Sequence, residues 1–179
     1  AYPEDEIIVL DPAGEYSPVV EANGGECMRF APDADTHLNP FDLSDVAHQS
    51  RSAQMAFKID AFLALSSATM AEGDQGLPEA DKSIISRCVE RAYRDADEEG
   101  RTPLLGDFHR ILKAQPELEA RDIALRYERY VEGALSFFNR PSNVTFDRRI
   151  TNVDFRDLSE NMRAFGIITV LECVRNRMY

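Results

Sequence analysis

Two carboxylates, Asp11 and Glu15, follow the apolar run Ile7-Ile8-Val9-Leu10 and flank Pro12-Ala13-Gly14. A β-branched, wholly apolar run of this kind predicts a strand buried on both faces, as in parallel sheets covered by helices. Open α/β sheets bind their ligands beyond the carboxyl ends of the strands. A carboxylate at that end can orient an attacking water or accept a hydrogen bond from a metal-bound one. Asp-Pro-x-Gly is equally an ordinary turn whose Asp takes up local amides, and the residues alone leave both readings open. Arg148-Arg149 precede a second strand-like run and are binding candidates of another kind, because arginines at a subunit boundary can stabilise a neighbour's phosphate.

Other chemistries find little support. The chain contains neither G-x-x-x-x-G-K-[ST] nor G-x-G-x-x-G, and no G-x-S-x-G. His37, His48 and His109 lack metal-ligand spacing, so no metal site is expected, and a metallo-hydrolase built on them with Asp11 and Glu15 is poorly founded. Cys27, Cys88 and Cys173 are odd in number and far apart, as reduced core thiols of a cytosolic protein would be. Arg87, Arg91 and Arg94 share one helix face, and Arg121, Arg126 and Arg129 lie in another helix among Glu119, Asp122 and Glu128. Salt-bridged solvated faces account for both groups, and a partner contact is the sharper alternative.

The elements that must position these groups fall into three parts. The 179 residues are 44% hydrophobic and 29% charged, which is enough for one globular domain with a sub-domain. The net charge of −12 argues against direct nucleic-acid binding by this segment. No apolar run approaches the length of about 20 residues that a membrane span needs, and the N-terminus is not built as a signal peptide.

Residues 1–45 predict β-α-β: a strand over 7–10, a short helix from Ser17-Pro18, a stop at Asn23-Gly24-Gly25, and a strand over 26–30. Residues 46–146 predict four helices, punctuated by Gly73, Gly76, Pro78, Thr102-Pro103 and Pro116, and stopped at 139–143. Residues 147–179 return to a strand over 150–155 and a helix from Ser159 to about Arg177. The simplest account is a helix-rich α/β sheet interrupted by an all-α insertion between two of its strands.

At this level the chain resembles the CagE/TrbE/VirB-type ATPases of conjugative type IV secretion systems. The likeness is carried by Asp11-Pro12, Glu15-Tyr16, Gly24-Gly25 and Asn39-Pro40-Phe41-Asp42. It continues through Lys82, Ile85, Arg87 and Cys88, then Gly133, Phe138-Asn139 and Asn143-Val144, and finally Asp154, Leu158 and Arg177. It spans nearly the whole chain and is greatest for mobile-element members of Gram-positive-type bacteria.

The resemblance implies part of a RecA-like nucleotide-binding sheet. It also implies a cytoplasmic position at the inner face of the membrane, and ATP hydrolysis with magnesium in the parent protein. The parent would assemble as a hexamer or dimer, work with other secretion components, and could move a DNA or protein substrate. Asp11 and Glu15 would lie near the nucleotide. The phosphate-binding loop is expected before Ala1 and the acidic pair of the second nucleotide motif after Tyr179, so the chain alone is expected neither to hold ATP tightly nor to hydrolyse it. The alternative is a non-catalytic α/β interaction module whose helices bind a partner.

Overall fold

The computed structural model describes residues 5–42, 50–70, 76–133 and 135–177; among the residues singled out above, His48 and Gly73 lie outside them. Three strands, β1 (Ile7–Asp11), β2 (Glu26–Arg29) and β3 (Ile150–Asp154), form one parallel sheet in the order β1-β3-β2. The last strand in sequence is thus the central one. Ile7 pairs with Ile150 and Asp11 with Asp154, while Glu26 pairs with Thr151 and Arg29 with Asp154. β1, a helix and β2 follow one another in the expected order, but the two strands do not pair with each other: each is paired only through β3.

Between β1 and β2 the chain makes the short helix α1 (Ser17–Ala22), with Pro18 in its first turn, where a missing N–H costs nothing. The return from α1 to β2 runs close over the start of β3. A Cβ on Gly25 would lie 2.7 Å from the Ile150 carbonyl oxygen and 2.6 Å from Val20 Cγ1, so only glycine fits there.

Between β2 and β3 lie the four helices of the insertion: α2 (Arg51–Met70), α3 (Glu79–Glu98), α4 (Leu105–Lys113) and α5 (Leu118–Val131). A 3-10 turn follows at Ser136–Asn139. α3 runs on to Glu98, through residues whose acidity suggests an exit. α4 begins at Leu105 and not at Thr102-Pro103, because the Asp107 carboxylate accepts the Leu104 amide at 2.9 Å and fixes the first turn. α6 (Glu160–Arg177) closes the described chain. Among the described residues, no helix is long and apolar enough to cross a membrane.

One continuous core joins helices and sheet. Phe41, from the loop after β2, packs on Phe62 of α2 with ring centroids 4.7 Å apart. Phe62 meets Phe108 of α4 at 4.8 Å, and Phe108 meets Tyr127 of α5 at 5.1 Å. Tyr130 then stacks on Phe165 of α6 at 4.3 Å, and Phe138 meets the same ring at 4.7 Å. On the sheet side, Phe30 and Phe155 stack at 5.6 Å. Cys88 is fully buried in this core, whereas Cys27 and Cys173, expected there too, are only half-buried, and all three are free thiols.

Hydrogen bonds clamp the insertion's entry to its exit. The His37 amide donates to Asn143 Oδ1 at 2.7 Å, the Asn143 amide to the His37 carbonyl at 3.2 Å, and the Asn39 amide to Ser142 Oγ at 2.8 Å. Asn39 Nδ2 also donates to the Pro103 carbonyl at 2.9 Å. The Asn39-Pro40-Phe41-Asp42 and Asn143-Val144 segments, far apart in sequence, therefore meet at one neck.

Candidate functional site

Parallel pairing brings three in-register residues, Asp11, Asp154 and Arg29, to the carboxyl end of the sheet. Side chains in register on neighbouring parallel strands share a face, so the three form a row along that end. Asp11 is fully buried. Its Oδ1 accepts the Gly14 and Glu15 amides at 2.7 and 3.1 Å. Its Oδ2 accepts the Tyr16 amide at 2.9 Å and Asn152 Nδ2 at 3.2 Å. Three successive main-chain N–H groups make a concave nest of the kind that elsewhere binds phosphate, but here the chain's own carboxylate fills it. Burial pushes the Asp11 carboxyl up, and the hydrogen bonds from Tyr16, Glu15, Asn152 and Gly14 outweigh that and hold it below the ordinary carboxylate value.

Glu15 rides on this turn with its side chain exposed. Its position is set by its own amide on Asp11. Gly14 adopts φ +72, and a Cβ there would fall 2.1 Å from Arg156 Nε, so the turn admits the Arg156 guanidinium only because residue 14 has no side chain. Arg156 is anchored by Asp154, whose Oδ1 accepts the Arg156 amide at 3.0 Å and whose Oδ2 accepts Arg156 Nε at 2.7 Å. Asp154 is itself buried. The hydrogen bond to Asp154 raises the Arg156 pKa further, so the guanidinium is permanently charged. Arg29 completes the edge, donating to Asp157 at 2.6 Å and to Asp33 at 3.1 Å.

Arg148 and Arg149 do not join this group. They lie exposed before Ile150, at the amino end of β3, and the Arg149 carbonyl accepts the Ile7 amide at 2.8 Å. Five to six residue steps of strand put them about 16–20 Å from the Asp11 end. Any role they have belongs to a different surface.

Asn152, Arg156, Arg29 and Asp157 escape a reading by spacing, since none sits in a recognisable motif. Asn152 did carry a signal: Thr-Asn in the middle of a strand otherwise suited to full burial. Its Nδ2 also donates to Ser17 Oγ at 3.0 Å, tying β3 to α1, while its Oδ1 is buried without a partner among the described residues.

Among the described residues, no group of three His, Cys, Asp or Glu side chains could hold a metal ion. Both Asp11 oxygens are committed to the chain's own donors, Asp154 is committed to Arg156, and the amide nest is filled. At this edge the exposed Glu15 carboxylate, which makes no hydrogen bond among the described residues, is placed to face a ligand held by other residues.

His37 and His109 each have a polar neighbour at one ring nitrogen. His37 Nε2 accepts from Arg140 Nη1 at 2.9 Å, and His109 Nε2 lies 3.1 Å from the Ala124 carbonyl. Burial, aided by Arg140 for His37 and Lys113 for His109, lowers both pKa values. A lowered histidine binds its proton more weakly when folded than when unfolded, so stability rises with pH wherever the unfolded chain carries the extra protons. The urea midpoint is expected to fall as pH drops below the unfolded histidine value of about 6.5, long before Asp11 protonates. His109→Gln should shrink the difference between midpoints at pH 7.5 and 5.5; an unchanged difference would remove His109 from the account.

Most of the helix-face arginines are salt-bridged or hydrogen-bonded. Arg87 donates to Gln115 and Glu117, Arg91 to Asp95, Arg94 to Glu90, and Arg126 to the Met70 carbonyl. Arg121 departs from the expected neutralisation, making no ion pair among the described residues.

The fold thus defines a class: a helix-rich α/β chain whose parallel sheet is interrupted, between adjacent strands β2 and β3, by an all-α insertion. The solved structure of VirB4 of Thermoanaerobacter pseudethanolicus has this fold, with a TM-score of 0.79 over 97% of this chain and 69% of that one, at 20% sequence identity. The likeness to VirB-type proteins expected from the sequence is met at the level of fold. No sequence-family profile matches the chain, and no curated protein does.

Proposed function

We propose that this chain is part of the motor domain of a type IV secretion ATPase, with the carboxyl edge of its sheet turned toward the nucleotide. The observation that carries this reading is the VirB4 fold extending over 97% of the chain. In the proposed arrangement Asp11 is a positioning residue and Glu15 is the group that faces the reaction. Asp11 cannot act as a base, because its oxygens are saturated by Gly14, Glu15, Tyr16 and Asn152. It mounts Glu15, whose exposed carboxylate is suited to orienting an attacking water.

The phosphate-binding loop and the metal ligands come from another part of the polypeptide. Magnesium would supply charge neutralisation at the transferred phosphate there. Arg148 and Arg149, at the opposite end of the sheet, are proposed to serve an interface between copies of the motor and not the nucleotide edge of their own chain. The motor would stand at the cytoplasmic face of a secretion channel, alongside other components of that system, and export DNA or protein.

The test is made in the longer gene product. Its ATP turnover is expected to fall about tenfold or more on Glu15→Gln, with the melting temperature unchanged. Turnover that is indifferent to Glu15→Gln would overturn the assignment. A gene product with no phosphate-binding loop in any segment would turn the reading to the non-catalytic module.

A further inference from the structure

Arg156 stands at the carboxyl edge of the sheet, the nucleotide reading gives it no part, and its setting is not that of an ordinary surface arginine. Exposed ion pairs contribute little, because both side chains are mobile. Here one partner is fixed: Asp154 ends the central strand and its side chain is only 4% exposed. Its Oδ1 accepts the Arg156 amide at 3.0 Å, and its Oδ2 accepts Nε at 2.7 Å and Nη2 at 2.5 Å. Main chain and guanidinium of one residue are therefore tied to one buried carboxylate, which fixes the direction in which the side chain leaves the strand. Phe155 and Leu158, on either side of it, are buried in the core, so the corner that carries Arg156 is rooted.

That direction runs across the Asp11–Tyr16 turn. A Cβ on Gly14 would stand 2.1, 2.4 and 2.8 Å from Arg156 Nε, Cζ and Cδ, so three successive side-chain atoms lie against the Gly14 main chain. The turn is thus held twice. The Asp11 carboxylate takes the amides of Gly14, Glu15 and Tyr16, and Arg156 covers Gly14. Glu15, carried by this turn, is held by its main chain alone, since its exposed carboxylate makes no hydrogen bond among the described residues. Where that carboxylate stands depends on how firmly the turn is held.

We propose that Arg156 is a positioning residue: locked to Asp154 and lying over Gly14, it clamps the turn that presents Glu15 and so sets where the Glu15 carboxylate faces the reaction. The inference rests on the reading of Glu15 given above. A guanidinium suits the task because its plane can cover a glycine main chain while two of its nitrogens bond one carboxylate. A lysine ammonium keeps the charge and lacks that plane. Simple neutralisation of Asp154 is the competing account, and under it lysine would serve as well as arginine.

Hydrogen exchange in this chain reads the clamp, and kinetics in the longer gene product read its consequence. Arg156→Ala and Arg156→Lys should both lose amide protection at Gly14, Glu15 and Tyr16, with far-ultraviolet dichroism as in the parent. In the longer product both should lower kcat for ATP by about tenfold to a hundredfold, the scale of a displaced reacting group, with KM unchanged. Added to Glu15→Gln, Arg156→Ala should cost nothing further, because it acts through Glu15. Arg94→Ala removes another exposed arginine from its carboxylate, on α3, and should leave every readout at the parent value. Unchanged protection in Arg156→Ala overturns the proposal, as does a rise in KM alone or a further loss in the double variant. So does Arg156→Lys behaving as the parent, which would leave charge as the whole account. A fall in kcat for Glu15→Gln with none for Arg156→Ala overturns this inference and spares the reading beneath it; no fall for either overturns both.

Discussion

Replacing Asp11 with alanine is expected to destabilise the fold by about 4 kcal/mol, since stranded donors cost roughly 1–3 kcal/mol each, and water reaching the turn keeps each at the lower end. Four donors lose their acceptor at once: the amides of Gly14, Glu15 and Tyr16, and Asn152 Nδ2. Asp11→Asn is the sharper variant. It keeps shape and size but replaces one accepting oxygen with an NH2 group. Whichever way the amide turns, that group faces a main-chain N–H, so a cost of about 2 kcal/mol is expected.

The readout is the urea midpoint at constant slope, together with faster hydrogen exchange at Gly14, Glu15 and Tyr16. The pH dependence supplies an independent check. The folded Asp11 carboxyl is held below its ordinary value, so its contribution is complete above the unfolded value of about 3.9 and disappears as pH falls through the folded one. Parent and Asp11→Asn should therefore converge in stability on acidification. If Asp11→Asn costs nothing at neutral pH, the nest does not hold the turn, and the mounting of Glu15 by Asp11 goes with it.

Phe108→Ala should cost about 4 kcal/mol, within the range for a large aromatic deleted from a packed core. Phe108 is fully buried, and its ring touches Phe41, Phe62 and Tyr127. Those contacts join the loop after β2 to α2, α4 and α5, so no single element can move to fill the gap. The core runs on through Tyr130 and Phe165 into α6 and the sheet. Denaturation of the parent and of the variant should accordingly be one transition by both near- and far-ultraviolet dichroism. A helical transition separate from loss of the sheet would show that the two share less than the packing implies. Leu118→Ala, at an exposed position, is the contrasting case and should change stability by less than about 0.5 kcal/mol.

Much of the architecture could be read from short-range pattern. The Ile7–Leu10 run, the Pro18 start of α1, the apolar stripes of α3 and α5 and the strand from Ile150 all stand where local spacing puts them, because burial of one face and turn chemistry act over a few residues. The all-α insertion was legible for the same reason, as 90 or so residues of helical period between two strand-like stretches. Boundaries moved where a side chain outside the periodic pattern decided them, as Asp107 does at the start of α4.

What only the tertiary structure decided is which distant residues become neighbours. Placing β3 between β1 and β2 puts Asn152 beside Asp11, and Arg156 over Gly14, across more than 140 positions of sequence. The same placement sends Arg148 and Arg149 to the opposite end of the sheet from Asp11 and Glu15, although all four are flanking residues of strands. A strand's pattern records which faces are buried but not which strand lies alongside, since every parallel neighbour satisfies the same backbone hydrogen bonds; the choice is made by the packing of the whole insertion, through Phe41, Phe138 and Phe165, against the sheet.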